Sequence, residues 1–213
     1  MITALAIHDL TLRRGDRLLF QGLSLRVEAG EAVALTGANG AGKTSLLRAV
    51  AGFIAPTAGR IGFEGSPGAL QADEARRADI HLVGHQDALK SGRTVVEELD
   101  FQIGWTGAEK GRLARSMQAM GLAFALAALD LERLERLEIR KLSAGQRRRV
   151  ALARLVGSPR PLWLLDEPMA PLDAAHRQGF GELMREHLRN GGLILAAVHD
   201  PLPIPARIVE IGA

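Results

Sequence analysis

The chain has 213 residues, 47% of them hydrophobic, enough for one domain, or one domain with a subdomain, around its own core. It has no cysteine, which excludes a disulfide framework and a thiolate metal site, and its six histidines show no HExxH-type spacing. A net charge of +3 is a mild basic excess that reads first as solvated arginines and only second as an anionic partner, and no RNP, KH or zinc-finger pattern points to nucleic acid.

The opening residues, MITALAIHDLTLRRGD, lack a basic n-region and a long apolar core, so no signal peptide is expected. The longest apolar stretch, MGLAFALAAL, falls short of the roughly 20 residues that span a bilayer, and a soluble intracellular chain is the expectation. LAIHDLTL and LSLRV read as short strands, with RRGDR turning between them. AVALT is a short apolar run suited to a buried strand. A glycine-rich loop follows, then KTSLLRAVAG, a helix expected to end at Gly52. GRIGFEG and DIHLVGHQ read as further strands. Residues 108–142 are rich in Ala, Leu, Arg and Glu and contain no proline, which predicts an inserted helical segment. LSAGQRRRVALARL opens another helix, and PLWLLDEP is a buried strand. A helix over 174–190 closes at Gly191-Gly192, and LILAAVHD and RIVEI are the last strands. Strands alternating with helices predict an α/β fold with a mainly parallel sheet.

GANGAGKT, residues 37–44, matches G-x-x-x-x-G-K-[ST] at every position, after a predicted strand and before a helix. The backbone N–H groups of Gly37, Ala38, Asn39, Gly40, Ala41 and Gly42 would turn inward around phosphates, because glycine tolerates the required dihedrals. Lys43 would neutralise the β and γ phosphates, and Thr44 would hold Mg²⁺. LWLLDE sets Asp166 and Glu167 at the carboxyl end of a buried strand, where open α/β sheets bind ligands. A strand ending in Asp-Glu is by itself usually a strand meeting solvent. With the phosphate loop upstream, Asp166 would orient Mg²⁺ and Glu167 would polarise the attacking water. Gln86, Asp173 and His199 each have a plain reading as loop amide, helix N-cap and strand-end histidine. All three fall where strands leave the sheet, or just beyond, and could gather around one γ-phosphate.

Ser143 and Gln146 fit a capping box, in which each side chain satisfies a backbone N–H at the helix start. The same start, Ser143-Ala144-Gly145, also leaves N–H groups open to an anion.

Motif by motif, and over essentially its whole length, the sequence resembles the ATP-binding subunits of ABC transporters. The resemblance implies a P-loop NTPase core of ABC ATPase type with an N-terminal antiparallel β subdomain. It implies a helical subdomain at about residues 87–141, inserted within a single domain over 1–213. It implies ATP and Mg²⁺ as ligands, with Thr44, Asp166 and Gln86 on the metal and Glu167, His199 and Gln86 in catalysis. It further implies a head-to-tail homodimer on ATP binding, in which Ser143, Ala144, Gly145 and Gln146 meet the partner's ATP and the loop carrying Asp173 crosses the dimer. An integral membrane permease subunit is the implied partner, which would place the chain on the cytoplasmic face of the bacterial inner membrane. No nucleic acid is expected.

The sequence departs from the family pattern at three places. The aromatic residue that usually stacks adenine near the end of the first strand is Arg14 here, in a chain without tyrosine. The third signature residue is Ala144, and the crossing loop reads Ala170-Pro171-Leu172-Asp173. Within the family, LSAGQRRRVALARL and VGHQDALKSGRTVVEELDF are similar to the haem-exporter ATPases of bacterial cytochrome c biogenesis. There, residues after Gln86, Leu89 and Lys90 above all, would receive a short helix of the membrane subunit, whereas Leu99 and Phe101 read as subdomain core. A transporter ATPase for another substrate and a soluble non-transport ABC ATPase are the alternatives.

Overall fold

The computed structural model describes residues 1–66, 68–106 and 112–212. The chain forms two compact units: Met1–Gly84, Arg160–Pro168 and Met184–Ala213 make the first, His85–Pro159 and Met169–Leu183 the second.

Two sheets build the first unit. Strands β1 (Ile2–Arg14), β2 (Arg17–Glu28), β4 (Ala58–Gly65) and β5 (Gly68–Leu70) are antiparallel, in the order β2-β1-β4-β5. Strands β3 (Ala32–Thr36), β6 (Ile80–Val83), β7 (Leu162–Asp166), β8 (Leu193–Ala197) and β9 (Arg207–Glu210) form the second sheet, in the order β6-β7-β8-β3-β9. Every pairing in it is parallel. All residues of β7 and β8 are buried, which is why both strands are unbroken apolar runs rather than alternating ones. Helices α1 (Lys43–Val50) and α2 (Ala72–Asp79) belong to this unit. Leu5, Leu10, Val33, Leu35, Leu47, Phe63, Leu164 and Leu195 share one core cluster. Each such side chain contributes about 1.5–3 kcal/mol when removed from water.

The second unit is mostly helical, with α3 (Val95–Thr106), α4 (Arg112–Ala128), α5 (Ala144–Gly157) and the start of α6 (Ala174–Arg189). Helix begins earlier than the composition of 108–142 indicates, and the predicted residues 108–111 lie outside the described ones. The missed signal is a capping box at Thr94. The Thr94 Oγ1 accepts from the Glu97 N–H at 3.3 Å, and Glu97 Oε2 accepts from the Thr94 N–H at 2.8 Å. Val95, Leu99 and Ile103 are buried, as the core reading of Leu99 requires. Phe101, read with it as core, is exposed instead. It stacks on Trp105, with the Arg93 guanidinium 4.0 Å from its ring centroid. On a helix, positions 99 and 103 share a face that position 101 leaves.

One half-buried histidine sets a pH response in the first unit. The His187 ring stacks on Trp163 with centroids 3.9 Å apart, and its Nε2 lies 3.3 Å from the Leu193 carbonyl. Burial holds its pKa down at about 4, against the opposing pull of the Leu193 and Pro161 carbonyls. The unfolded chain, with an ordinary imidazole near 6.5, therefore takes up this proton first as pH falls. The stability this neutral ring confers is complete above about pH 6.5 and is lost progressively toward pH 4, by on the order of 3 kcal/mol. His187→Phe keeps an aromatic stack and removes the proton site. Urea unfolding from pH 7 to 4 should show a shallower fall in stability than wild type.

Candidate functional site

The carboxyl ends of β7, β8 and β3, neighbours in the sheet, build the site of the first unit. The phosphate loop, residues 37–44, leaves β3 and enters α1 directly. Its first glycine is obligatory: Gly37 has φ 125°, and a Cβ there would lie 2.4 Å from the Ile211 carbonyl oxygen. Gly42, at φ 112°, is the N-cap of α1 and supplies no side chain to the helix's first N–H groups, and the first turn carries no acidic residue. Those donors and the positive end of the helix are left for an anion. Lys43 is buried, and its Nζ donates to the carbonyls of Gly37 at 2.7 Å and Ala38 at 3.3 Å. The loop thus wraps its own cation.

Asp166 ends β7, buried, with both carboxylate oxygens 3.0 Å from Thr44 Oγ1. Residues 122 apart in sequence thereby form one hydroxyl–carboxylate pair. Such oxygens suit a hard divalent cation. Among the described residues no group of three or more His, Asp or Glu side chains could hold a metal. An ion here would complete its shell from water and ligand phosphates, the usual arrangement for Mg²⁺.

Glu167 sits at φ 48°, a conformation that a non-glycine residue holds only where the surroundings impose it. Its N–H donates to the Ala197 carbonyl at 2.9 Å, which fixes the bend. Its Oε2 accepts from the His199 N–H at 3.4 Å, and its Oε1 lies 3.5 Å from His199 Nε2. The bend turns Glu167 beside His199 while Asp166 stays with Thr44. One carboxylate can serve a cation, and the other can take a proton from water.

The second unit carries the other predicted residues except Arg14. The capping box at α5 is present: Gln146 N–H donates to Ser143 Oγ at 3.2 Å, and Ser143 N–H donates to Gln146 Oε1 at 2.8 Å. Ser143 therefore uses its oxygen for the cap and keeps its own hydroxyl proton for a ligand. Capping and anion binding do not compete. Asp173 caps α6, accepting the His176 N–H at 2.9 Å and lying 2.8 and 2.9 Å from His176 Nδ1. These bonds, the backbone one first, hold its carboxyl below the usual range. Gln86 also belongs to this unit, exposed just past β6.

Sequence reasoning missed three neighbours. Arg149 Nη1 donates to the carbonyls of Leu129 at 2.7 Å and Asp130 at 2.5 Å. His176 Nε2 stands 3.7 Å from Asp130 Oδ2. Arg148, fully buried, pairs with Asp87 at 3.1 Å and so ties α5 to the residue after Gln86. The run of arginines in α5 was the available signal. Ser143, Gly145, Gln146, Arg149, Pro171, Leu172, Asp173 and His176 line a cavity of about 190 Å³. Arg14 is exposed at the tip of the β1–β2 hairpin.

The ABC transporter family profile matches residues 20–170. The cytochrome c biogenesis ATP-binding export protein CcmA of Rhodopseudomonas palustris (strain BisB5) is 48% identical over 200 residues, 94% of each chain. The protein of the same name from Nitrobacter hamburgensis is 47% identical over 206 residues, 96% of each chain. Among solved structures, a dimeric ATP-binding cassette in a post-hydrolysis state bound to ADP and Pi superposes with a TM-score of 0.80 at 24% identity, covering 97% of this chain and 94% of that one.

A close approach in the second unit is open to test. A Cβ on Gly145 would meet the Pro171 carbonyl oxygen at 2.8 Å, so a side chain there forces backbone to move. Gly145→Ala should lower stability by about 1–3 kcal/mol in thermal unfolding. Ala144→Gly, at an exposed helix-start position, should change it by less than about 1 kcal/mol.

Proposed function

The chain is an ATP-hydrolysing member of the ABC transporter family, and from that premise we propose that it energises haem export for bacterial cytochrome c biogenesis. One observation carries the cargo: relatives named as cytochrome c biogenesis ATP-binding export proteins are 40–48% identical over 93–98% of this chain. The partner is an integral, CcmB-like permease, and the chain sits peripherally on the cytoplasmic face of the inner membrane. Among the described residues no helix is long and apolar enough to cross a membrane, which agrees with a separate permease. The chain is one ABC domain over 1–213 with a helical subdomain at about 87–141.

The phosphates of ATP lie in the loop 37–44, on its backbone N–H groups and on Lys43, whose ammonium already faces that loop. Thr44 and Asp166, joined by Gln86, would hold Mg²⁺, which would supply charge neutralisation for the phosphates. Glu167 takes the proton of the attacking water, and His199, held beside it, contacts the γ-phosphate. Arg14 faces the base. Two copies pair head to tail on ATP, so that Ser143, Ala144, Gly145 and Gln146 of one close over the γ-phosphate of the other, and Asp173 crosses beside them. No nucleic acid takes part.

Binding and hydrolysis should separate by mutation. Lys43→Ala should weaken ATP binding and turnover together. Glu167→Gln should keep binding, lower hydrolysis by about 10²–10⁴-fold, and accumulate a dimer in gel filtration with ATP. Normal turnover in Glu167→Gln removes Glu167 from the reaction.

The cargo is tested in cells. A strain lacking the chain should lose c-type cytochromes and keep its other haem proteins. Complementation with Leu89→Asp or Lys90→Glu should fail while the protein leaves the membrane fraction. Leu89 is half-buried and Lys90 exposed, so both substitutions spare the core. Normal c-type cytochromes in the deletion strain leave a transporter ATPase of another cargo.

A further inference from the structure

The hairpin joining β1 to β2 carries Arg13, Arg14 and Arg17 within five residues. Arg14 and Arg17 stand opposite each other in its register. Like charges in that position repel, a cost that other arginines of the first unit avoid. Arg26 is held by Glu64 at 2.7 and 2.8 Å, and Arg207 by Glu31 at 2.6 Å. Arg13 donates to the Asp16 carbonyl at 2.6 Å. Neither the Arg14 nor the Arg17 side chain has a hydrogen bond or ion pair with another described residue, although Asp16 lies between them in sequence. The tip therefore presents two guanidinium groups with no carboxylate.

Arg17 has a definite place. A Cβ built on Gly40, in the middle of the phosphate loop, would lie 3.6 and 3.7 Å from its two terminal nitrogens. Lys43 is turned into the loop carbonyls, and α1 begins without a capping side chain or an acidic residue. The Arg17 guanidinium thus extends a region of positive potential outward from the loop, beyond the reach of Lys43. A planar guanidinium with five donors matches the paired oxygens of a polyphosphate better than an ammonium does.

We propose that Arg17 is a nucleotide-binding residue that clamps the polyphosphate of the bound nucleotide from the hairpin side of the phosphate loop. An anion there relieves the repulsion with Arg14. Binding energy that an aromatic platform would draw from the base comes instead from the phosphates, which makes this contact indifferent to which base is attached. The proposal rests on the reading that residues 37–44 bind nucleotide.

The test is competition against a fluorescent ATP analogue on the full-length chain, using ATP, GTP and inorganic tripolyphosphate at low and at physiological salt. In Arg17→Gln all three competitors should weaken by a similar factor, about tenfold at low salt, with a smaller salt dependence than wild type. Arg17→Lys should fall between the two. Without nucleotide, Arg17→Gln should keep or raise the Tm, because it removes one of two facing like charges. Wild-type affinities in Arg17→Gln overturn the proposal. So does a loss confined to ATP and GTP with tripolyphosphate unchanged, which would put the contact on the base or sugar, and so does a lowered Tm. If the wild-type chain binds none of the three, the nucleotide reading of the loop fails and the proposal with it. A wild-type chain that binds, with Lys43→Ala impaired and Arg17→Gln normal, sinks the proposal alone.

Discussion

The contact between Thr44 Oγ1 and the two oxygens of Asp166, both at 3.0 Å, is the constraint on which the first unit's site depends. It joins the first turn of α1 to the end of β7, and it exists only because β8 alone separates β7 from β3 in the sheet. Shift that order by one strand and the loop would keep its glycines and its lysine but lose its carboxylate. The burial of every residue in β7 and β8 serves this purpose. In the observed register Asp166 pairs with Ala197 and Ala197 with Leu35, so the carboxyl ends of three strands arrive at one level. The bend at Glu167 is imposed from the same sheet, through the Ala197 carbonyl at the end of β8.

Two helix starts in this chain solve the same problem differently. Helix α1 begins at a glycine and leaves its first donors without a side-chain partner, open to an anion. Helix α5 begins with a closed capping box and is complete by itself. That difference fits their roles in the proposed function. The first must hold phosphate within its own copy. The second must stay folded while alone and offer a hydroxyl proton and helix-start N–H groups only when another copy arrives. The approach of Pro171 to Gly145 and the capping of α6 by Asp173 hold the loop 170–173 beside it.

Charge is placed with similar economy. Arg148 and Arg149, buried in α5, bond to Asp87 and to the Leu129 and Asp130 carbonyls, and so they organise the second unit. Arg26 and Arg207 stitch the first unit with Glu64 and Glu31. Arg14 and Arg17 belong to neither set, and Arg17 stands at the edge of the phosphate loop.

The sequence by itself determined the family, the phosphate loop, the Asp-Glu pair and both helix starts. Each is a local pattern in which residue type and spacing already imply the chemistry: glycines for dihedrals, a lysine for phosphate, Ser143 and Gln146 three apart for a cap. The main strands were legible too, because fully buried strands write themselves as apolar runs, whereas the short strand β5 and helix α2, which carries one buried residue, were not. What needed tertiary structure was everything set by distance across the chain. The parallel order β6-β7-β8-β3-β9 is not written in any one segment. The start of α3 at Thr94 was passed over because β-branched valines mask a helix that a capping box and packing impose. Phe101 went to the surface because helix rotation, not hydrophobicity, decides which face is buried. His187, silent in sequence, has its pKa lowered only by the burial that the fold imposes on it. Arg17 was one more arginine in a basic turn until the hairpin register set it against Arg14 and the fold laid it over Gly40, for unpaired charge is a property of neighbours in space.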